Sequence, residues 1–368
     1  MLSNKVYLKK AYFFGFSRWK RSFVMVFFPM PKENMFFCKT LDEAKHKGLK
    51  ESSSIYIWGK KPFDEVENYA QKHQISLSRV EDGFVRSVSL GSDLTKAYSL
   101  VVDSRGIYFD PTQESDLEVL LNAHVFDEAL LERAKKLQCY LIEHKISKYN
   151  SSKEQKVYLD LKNSSQKVVL VPGQVEDDAS IIYGAKGMNN LALLKEARRS
   201  AGQDAYLIYK PHPDVLAGNR KGHVDSLEAL AYCDKIISNV GLDSVLVLCD
   251  EVHTMTSLVG LEALIRGKKV YTYGLPFYAG WGLTIDARTC KRRNRLRTID
   301  ELVATAFILY PRYIHPKTNE RCEVEVLLAE VDKEKNGYNQ NKTFRLYINI
   351  RNFFFRKVQL IIRIILGE

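Results

Sequence analysis

The chain has 368 residues, 45% hydrophobic and 27% charged, with a formal net charge of +11. Such a composition excludes a disordered chain, and the length exceeds one ordinary core, so two packed domains are expected. The charge invites a nucleic-acid reading that its placement argues against: residues 1–28 hold six Lys/Arg and no acid, residues 342–368 hold six with Glu368 as their one acid, and the body between them is neutral.

Residues 1–28 form a basic, aromatic N-terminal segment. Together with the equally basic and apolar tail, it looks suited to an anionic membrane surface. It lacks the long apolar run and small-residue cleavage site of a secretory signal, and no uncharged apolar run of about 18 residues exists, so no spanning helix is expected. The cysteines (Cys38, Cys139, Cys233, Cys249, Cys290 and Cys322) are scattered without a CxxC or a zinc-site spacing, which fits a reduced compartment.

Strand-like runs then alternate with helical stretches: Ser54–Trp58, Lys167–Val171, Ala205–Tyr209, Lys235–Ser238, Glu251–Thr254 and Lys269–Tyr273. This alternation predicts an α/β protein with mostly parallel sheets. A further strand, Ile75–Val80, runs into Glu81-Asp82-Gly83-Phe84. Two carboxylates would then sit at a strand end, where open α/β sheets bind ligands, and adjacent acids suit acid/base work because each opposes the other's ionisation. An Asp-Gly turn is the alternative. The polar stretch Lys148–Gln166 is the expected break, giving one domain over 29–160 and a second over 161–332.

In the second domain, Lys167–Val171 leads directly into Pro172-Gly173-Gln174-Val175-Glu176-Asp177-Asp178-Ala179-Ser180. Three consecutive acids at a strand end could bind a hard cation, supply a carboxylate nucleophile to an anomeric carbon, or simply begin a solvated helix. The next strand ends on Lys210-Pro211-His212-Pro213-Asp214, a stiff loop whose Lys and His could grip a phosphate or protonate a leaving group. Glu251–Thr254 opens into Thr256 and Ser257 and a helix containing Glu262. Hydroxyls at a helix start make an anion site, or act only as N-caps.

Residues 333–368 are a polar linker and a helix. Arg345, Asn349, Asn352, Arg356, Gln359 and Arg363 recur at alternating steps of four and three, drawing one narrow polar stripe. The surrounding Phe353, Phe354, Phe355, Ile361 and Ile362 suit an amphipathic helix lying in a membrane interface, with Arg351 and Lys357 snorkelling. A terminal helix docked on the protein itself is the alternative.

The stretches Gly15–Arg21, Glu81–Arg86, Ser99–Asp110, Pro172–Ile181, Lys210–Asp214, His253–Ser257 and Tyr273–Thr284 (YGLPFYAGWGLT) closely resemble the capsule polysaccharide β-Kdo transferases of the KpsC type, along most of residues 10–320. The resemblance implies a GT-B glycosyltransferase, two Rossmann-like domains facing a central cleft, that uses CMP-Kdo as donor and retains anomeric configuration while extending a Kdo linker on phosphatidylglycerol. The familiar enzyme carries two such modules in tandem, and this chain resembles a single, carboxyl-terminal-like one. A second Kdo transferase is therefore an implied partner. By the same resemblance Asp178 is the nucleophile, with Asp177 in reserve, and Glu81 or Asp82 activates the acceptor hydroxyl. Lys210 and His212 would hold or protonate the departing phosphate, Thr256 and Ser257 bind the nucleotide, and Glu262 grips the ribose; Gln174 and Pro211 complete the donor set. No cofactor or metal is implied, because CMP departs readily without one. The expected location is the cytoplasm, peripheral on the inner membrane face, held by Arg345, Arg351, Phe354, Arg356, Lys357 and Arg363. Two alternatives stand beside this: a single-step inverting CMP-sugar transferase, similar to sialyltransferases, with Asp82 as base, or a non-enzymatic capsule-assembly protein at the membrane. Neither involves nucleic acid.

Overall fold

The computed structural model describes residues 9–85, 96–146, 157–218, 220–238 and 240–340, with side chains through 336. Among the described residues, β1 (Ala11–Phe14), β2 (Met35–Cys38), β3 (Ser54–Trp58), β4 (Ser76–Asp82) and β5 (Ser99–Asp103) enter one sheet. A second sheet follows from β6 (Val168–Pro172), β7 (Tyr206–Lys210), β8 (Lys235–Ile236), β9 (Glu251–Thr254), β10 (Lys269–Thr272) and β11 (Ile285–Asp286). The chain then returns to the first sheet with β12 (Pro311–Ile314) and β13 (Arg321–Cys322). The protein is thus an α/β chain with a seven-stranded and a six-stranded sheet.

Two compact units follow from this path. Among the described residues, one joins 9–85 and 96–107 with 310–340; the other holds 108–146 with the described part of 157–309. The helices Asp116–Ala123 and Glu128–Glu143 therefore belong with the second sheet although they precede the polar 148–166 stretch. Side chains place them there: buried Glu118 takes Arg292 at 2.7 Å and Arg293 at 3.3 Å, and Gln138 bonds Asp300.

The first unit's sheet has the order β13-β12-β5-β4-β3-β1-β2. Its β2-β1-β3-β4 half is parallel, whereas β5 runs antiparallel to β4 and β12 antiparallel to β5. Interior parallel strands are covered on both faces and read as unbroken apolar runs, and β1, Ala-Tyr-Phe-Phe, is buried at every position. Phe13 joins Phe23, Phe27, Phe28, Trp58 and Val80 in one core, while Tyr12 and Phe14 join Ile55 and Ile57 in another. This corrects the membrane reading for 9–28. Its aromatic residues are core, and its cations serve the fold: Lys20 stands 3.1 Å over the Trp58 ring and Arg21 donates to the Phe16 carbonyl at 3.1 Å.

The second unit's sheet, β11-β10-β9-β6-β7-β8, is parallel throughout. β3 and β9 occupy the residues expected of them, and the other expected strands are found within a residue or two. The order holds a topological switch: from β6 the chain moves out through β7 and β8, then crosses to place β9 and β10 on β6's other side. The pairing records it. β6 follows β7 as far as Pro172 beside Lys210, but its pairs with β9 are Val169 with Glu251 and Leu170 with Val252. Beyond Leu170 the two strands part at their carboxyl ends.

Within β9, His253 is fully buried, with Nδ1 2.9 Å from the Tyr273 hydroxyl, its ring stacked on Tyr271, and Nε2 3.5 Å from a Glu251 oxygen that Lys167 approaches to 3.2 Å. The residues expected to form the membrane helix, Arg345, Arg351, Phe354, Arg356, Lys357 and Arg363, lie outside the described residues. Among the described residues, no helix is long and apolar enough to cross a membrane.

Two outcomes follow from the packing. Phe13→Ala should cost about 3–5 kcal/mol in denaturant unfolding, the penalty for emptying an aromatic site in a core; a surface-binding Phe13 would cost almost nothing. Burial pulls His253 down to about 4. Between that value and the ordinary 6.5, the unfolded chain binds a proton that the folded chain refuses. Stability should therefore fall as pH drops from about 6.5 to 4, by up to about 3 kcal/mol. His253→Asn should flatten that slope, measured by unfolding across this pH range.

Candidate active site

Ligands of open parallel sheets lie beyond the strands' carboxyl ends at a switch point, here where β6 and β9 part. One side chain spans the opening. Gln174, 7% exposed, follows β6, and its Oε1 accepts the Thr256 N–H at 3.0 Å and the Thr254 hydroxyl at 3.2 Å, while Nε2 donates to Thr256 Oγ1 at 3.1 Å. Both ends of one amide thus tie the diverging strands together, through one backbone N–H and two threonine hydroxyls. Gln174 is itself held by Asn190, 1% exposed, which accepts its N–H and donates to its carbonyl, each at 2.8 Å.

The hydroxyl-rich helix start sits against this bridge. Ser257 caps the helix Leu258–Ile265 by accepting the Val259 N–H, so the capping alternative is realised. Thr256 spends its N–H on Gln174. Glu262 lies in the next turn, half-buried. The Tyr273–Thr284 motif braces the cap from behind: the Tyr278 hydroxyl donates to the Ser257 carbonyl at 2.5 Å, and a Cβ on Gly260 would come within 2.2 Å of that hydroxyl. The loop is in turn tied by Arg293, which donates to the Ala279 carbonyl at 2.8 Å, and by Asp286, which accepts from Gly280 at 2.8 Å.

The acid run does not converge as a cation site would. Glu176 accepts the Asn190 N–H at 2.8 Å, Asp177 pairs with Arg220 at 3.2 Å, and Asp178 caps the helix Ala179–Gly184 through the Ser180 N–H at 2.9 Å and hydroxyl at 2.7 Å. Each acid has its own partner, and among the described residues no His, Cys, Asp or Glu group gathers as a metal site. The cap engages Oδ1 of Asp178, an exposed residue, and thereby fixes the carboxylate's direction.

Across the sheet edge, Lys210 ends β7. Its Nζ donates to the Val240 carbonyl at 2.7 Å, and burial lowers its pKa. Pro211 packs against Gly173, where a Cβ would come within 3.1 Å of Pro211 Cα. His212 caps the helix Pro213–Leu216, and its Nδ1 accepts the Asp214 N–H at 3.1 Å. A neutral ring that accepts at Nδ1 carries its proton on Nε2, leaving that nitrogen as the donor.

Glu81 and Asp82 lie in the other unit, at the end of β4. Both are half-buried, and Glu81 Oε1 accepts the Asp82 N–H at 3.0 Å. The Asp-Gly pair is not a turn. Asp82 still pairs with Leu100, Gly83 donates to the Ser99 carbonyl at 3.0 Å, and a Cβ on Gly83 would lie 2.3 Å from Ser99 Oγ, so this glycine admits the neighbouring strand.

Within the second unit the fold thus brings together Gln174, Thr256 and Ser257, and lays the acid run and the Lys210–His212 loop along one sheet edge. Sequence reasoning missed Asn190, Arg220 and Tyr278. The Asn189-Asn190 pair at a helix start was a visible cue, but Asn189 takes the cap and only the fold turns Asn190 inward.

Residues 53–313 match the family described as capsule polysaccharide biosynthesis protein. The capsule polysaccharide modification protein LipA of Neisseria meningitidis serogroup A is 43% identical over 90% of this chain and 47% of its own length. The lipopolysaccharide-processing protein LpsZ of Rhizobium meliloti is 41% identical over 77% of this chain and 65% of its own. The chain therefore spans about half the length of LipA. Among solved structures, Thermosulfurimonas dismutans KpsC, β-Kdo 2,7 transferase, superposes with a TM-score of 0.72 at 36% identity, covering 89% of this chain and all of that one. The β-Kdo 2,4 transferase of the same organism's KpsC also gives 0.72, at 31% identity over 87% and 97%. On the family match and these relatives, the chain belongs to the capsule polysaccharide biosynthesis family.

Proposed function

We propose that the chain is a retaining β-Kdo transferase, of GT-B architecture, that takes Kdo from CMP-Kdo and adds it to a Kdo-terminated glycolipid, a linker on phosphatidylglycerol. The observation that carries this reading is the parted β6/β9 edge. A buried amide bridges it, a capped helix start adjoins it, and an oriented carboxylate, Asp178, stands on the same loop. Likeness to two structures named β-Kdo transferases supports the donor and the sugar.

In this mechanism an Asp178 oxygen bonds to the anomeric carbon as the bond from that carbon to the phosphate oxygen breaks, its electron pair leaving with CMP. The acceptor hydroxyl then displaces the carboxylate and gives its proton to a base, for which Glu81 or Asp82 is proposed. Two inversions restore the starting configuration. Lys210 and the Nε2–H of His212 would meet the leaving phosphate. A desolvated ammonium gains more from an arriving anion than an exposed one does. Gln174, Pro211, Thr256 and Ser257 would shape the nucleotide bed and Glu262 the ribose contact. CMP is a good leaving group that departs without a metal, so metal independence belongs to the proposal. So do a cytoplasmic, peripheral location held by the 342–368 tail and a second Kdo transferase as partner.

Asp178→Asn should reduce turnover of CMP-Kdo with a synthetic Kdo-lipid by at least about 10³-fold. A variant impaired at Glu81 or Asp82 should accumulate protein carrying one Kdo, seen by intact mass, and NMR of the product fixes the linkage. Wild-type turnover in Asp178→Asn with a dead Asp82→Asn would sink double displacement in favour of the inverting route. No CMP release from the wild type with any Kdo-lipid would leave an assembly protein. Removing residues 342–368 should shift the protein from the membrane to the soluble fraction on centrifugation; unchanged fractionation would remove the tail from the proposal.

A further inference from the structure

The acid loop is overlaid by a second loop that the proposed mechanism does not use. Glu176 donates its N–H to the Lys221 carbonyl at 3.0 Å, and Asn190 donates to the Gly222 carbonyl at 2.8 Å. Gly222 has φ +126, and a Cβ there would fall 2.6 Å from the Gln174 carbonyl, so the strap lies against the bridge residue itself. That backbone anchorage carries Arg220 to Asp177, with Nε 3.2 Å from Oδ1 and the two side chains 36% and 42% exposed. Arg220 therefore stands beside the residue that precedes the proposed nucleophile, on a support independent of its own side chain.

The chemistry of the proposed donor makes this position meaningful. In a CMP-activated ulosonic acid, the carbon that carries the phosphate also carries a carboxylate. A carboxylate nucleophile approaching that carbon meets two anions of its own sign. Lys210 and His212, at the end of β7, would serve the phosphate; the sugar carboxylate needs a cation on the nucleophile's side. Resting on the transfer reading above, we propose that Arg220 binds the carboxylate of the donor sugar, with Asp177 orienting its guanidinium. Arginine suits the task, since its planar fork takes a carboxylate through two parallel hydrogen bonds, whereas a lysine offers a point charge. Asp177 then becomes a positioning residue instead of a reserve nucleophile. The strap would make the site selective for sugars bearing an acid at the anomeric carbon.

The test uses the full chain, a Kdo-lipid acceptor, and two donors: CMP-Kdo and its carboxamide analogue, in which the sugar carboxylate is neutral. Arg220→Ala should lower kcat/KM for CMP-Kdo by about 10- to 100-fold, the worth of hydrogen bonds to a charged group. It should leave the carboxamide unchanged, so discrimination between the donors collapses. Arg220→Lys should recover part of it. Asp177→Asn should weaken the discrimination in the same direction but less than Arg220→Ala does, since it loosens the guanidinium without removing it. Arg220→Ala that still prefers CMP-Kdo as strongly as the wild type overturns the assignment, as does a collapse confined to Lys221→Ala. A wild type that never turns over CMP-Kdo overturns the transfer reading, and this assignment with it; an active wild type with an indifferent Arg220→Ala overturns this assignment alone.

Discussion

The second unit depends on one constraint: two parallel strands, β6 and β9, must separate at the switch point while their backbone polar groups stay satisfied. The last pair they share is Leu170 with Val252. Beyond it, buried N–H and carbonyl groups left without partners would each cost stability. Gln174 meets part of this cost by placing one amide across the opening: its oxygen accepts the Thr256 backbone N–H and the Thr254 hydroxyl, and its nitrogen donates to the Thr256 hydroxyl. The amide ties the strands where the ladder has ended, and the gap it spans is the ligand position of such sheets. Asn190 then fixes Gln174, and through Gly222 and Glu176 it also fixes the flanking loops. A short chain of neutral amides thus determines where the charged groups can stand.

The groups proposed for the chemistry are also structural residues. Asp178 is a helix cap, His212 is a helix cap, and Ser257 is a helix cap. A structural role is no argument against a functional one in these cases. A cap pins one atom of a polar side chain and so aims the others: capping through Oδ1 directs Asp178, and accepting at Nδ1 commits the His212 proton to Nε2. Preorganisation of this kind is what a polar reaction needs from its site, since a group already aimed does not reorganise when charge develops. The long Tyr273–Thr284 motif belongs to the same scheme at one remove. Its Tyr278 hydroxyl and the crowding at Gly260 hold the cap of the helix that begins at Leu258.

Parts of this were legible in the sequence for local reasons. β3 and β9 are short apolar runs bounded by polar residues, and their limits follow from composition alone. β1 was hidden because its four apolar residues sit inside a basic, aromatic stretch whose pattern equally suits a membrane surface. The difference between the two is whether a sheet exists to receive Tyr12, Phe13 and Phe14. The helices Asp116–Ala123 and Glu128–Glu143 are cut off from the sheet they serve by the polar 148–166 stretch, and the sequence hides their membership for a related reason. Their partners, Arg292, Arg293 and Asp300, are more than 160 positions away, and the bonds of Glu118 and Gln138 to them leave no local trace.

What the sequence determined by itself was the set of strand ends and the chemistry placed on them: acids at the end of β4 and after β6, a Lys-Pro-His-Pro loop leaving the end of β7, hydroxyls after β9. Strand propensity and turn residues are local properties, and they suffice to put a motif at the end of an element. Which ends share an edge was decided only by tertiary structure. Strand order, the β6/β9 switch, the inward turn of Asn190 and the burial of His253 come from long-range pairing and close packing, which no local window contains. The loop that leads into β6's helix is a run of acids in the sequence. In the folded chain it is three carboxylates with three different partners: Asn190 and Arg220 reach Glu176 and Asp177 from later in the chain, and Asp178 turns to Ser180 of its own helix.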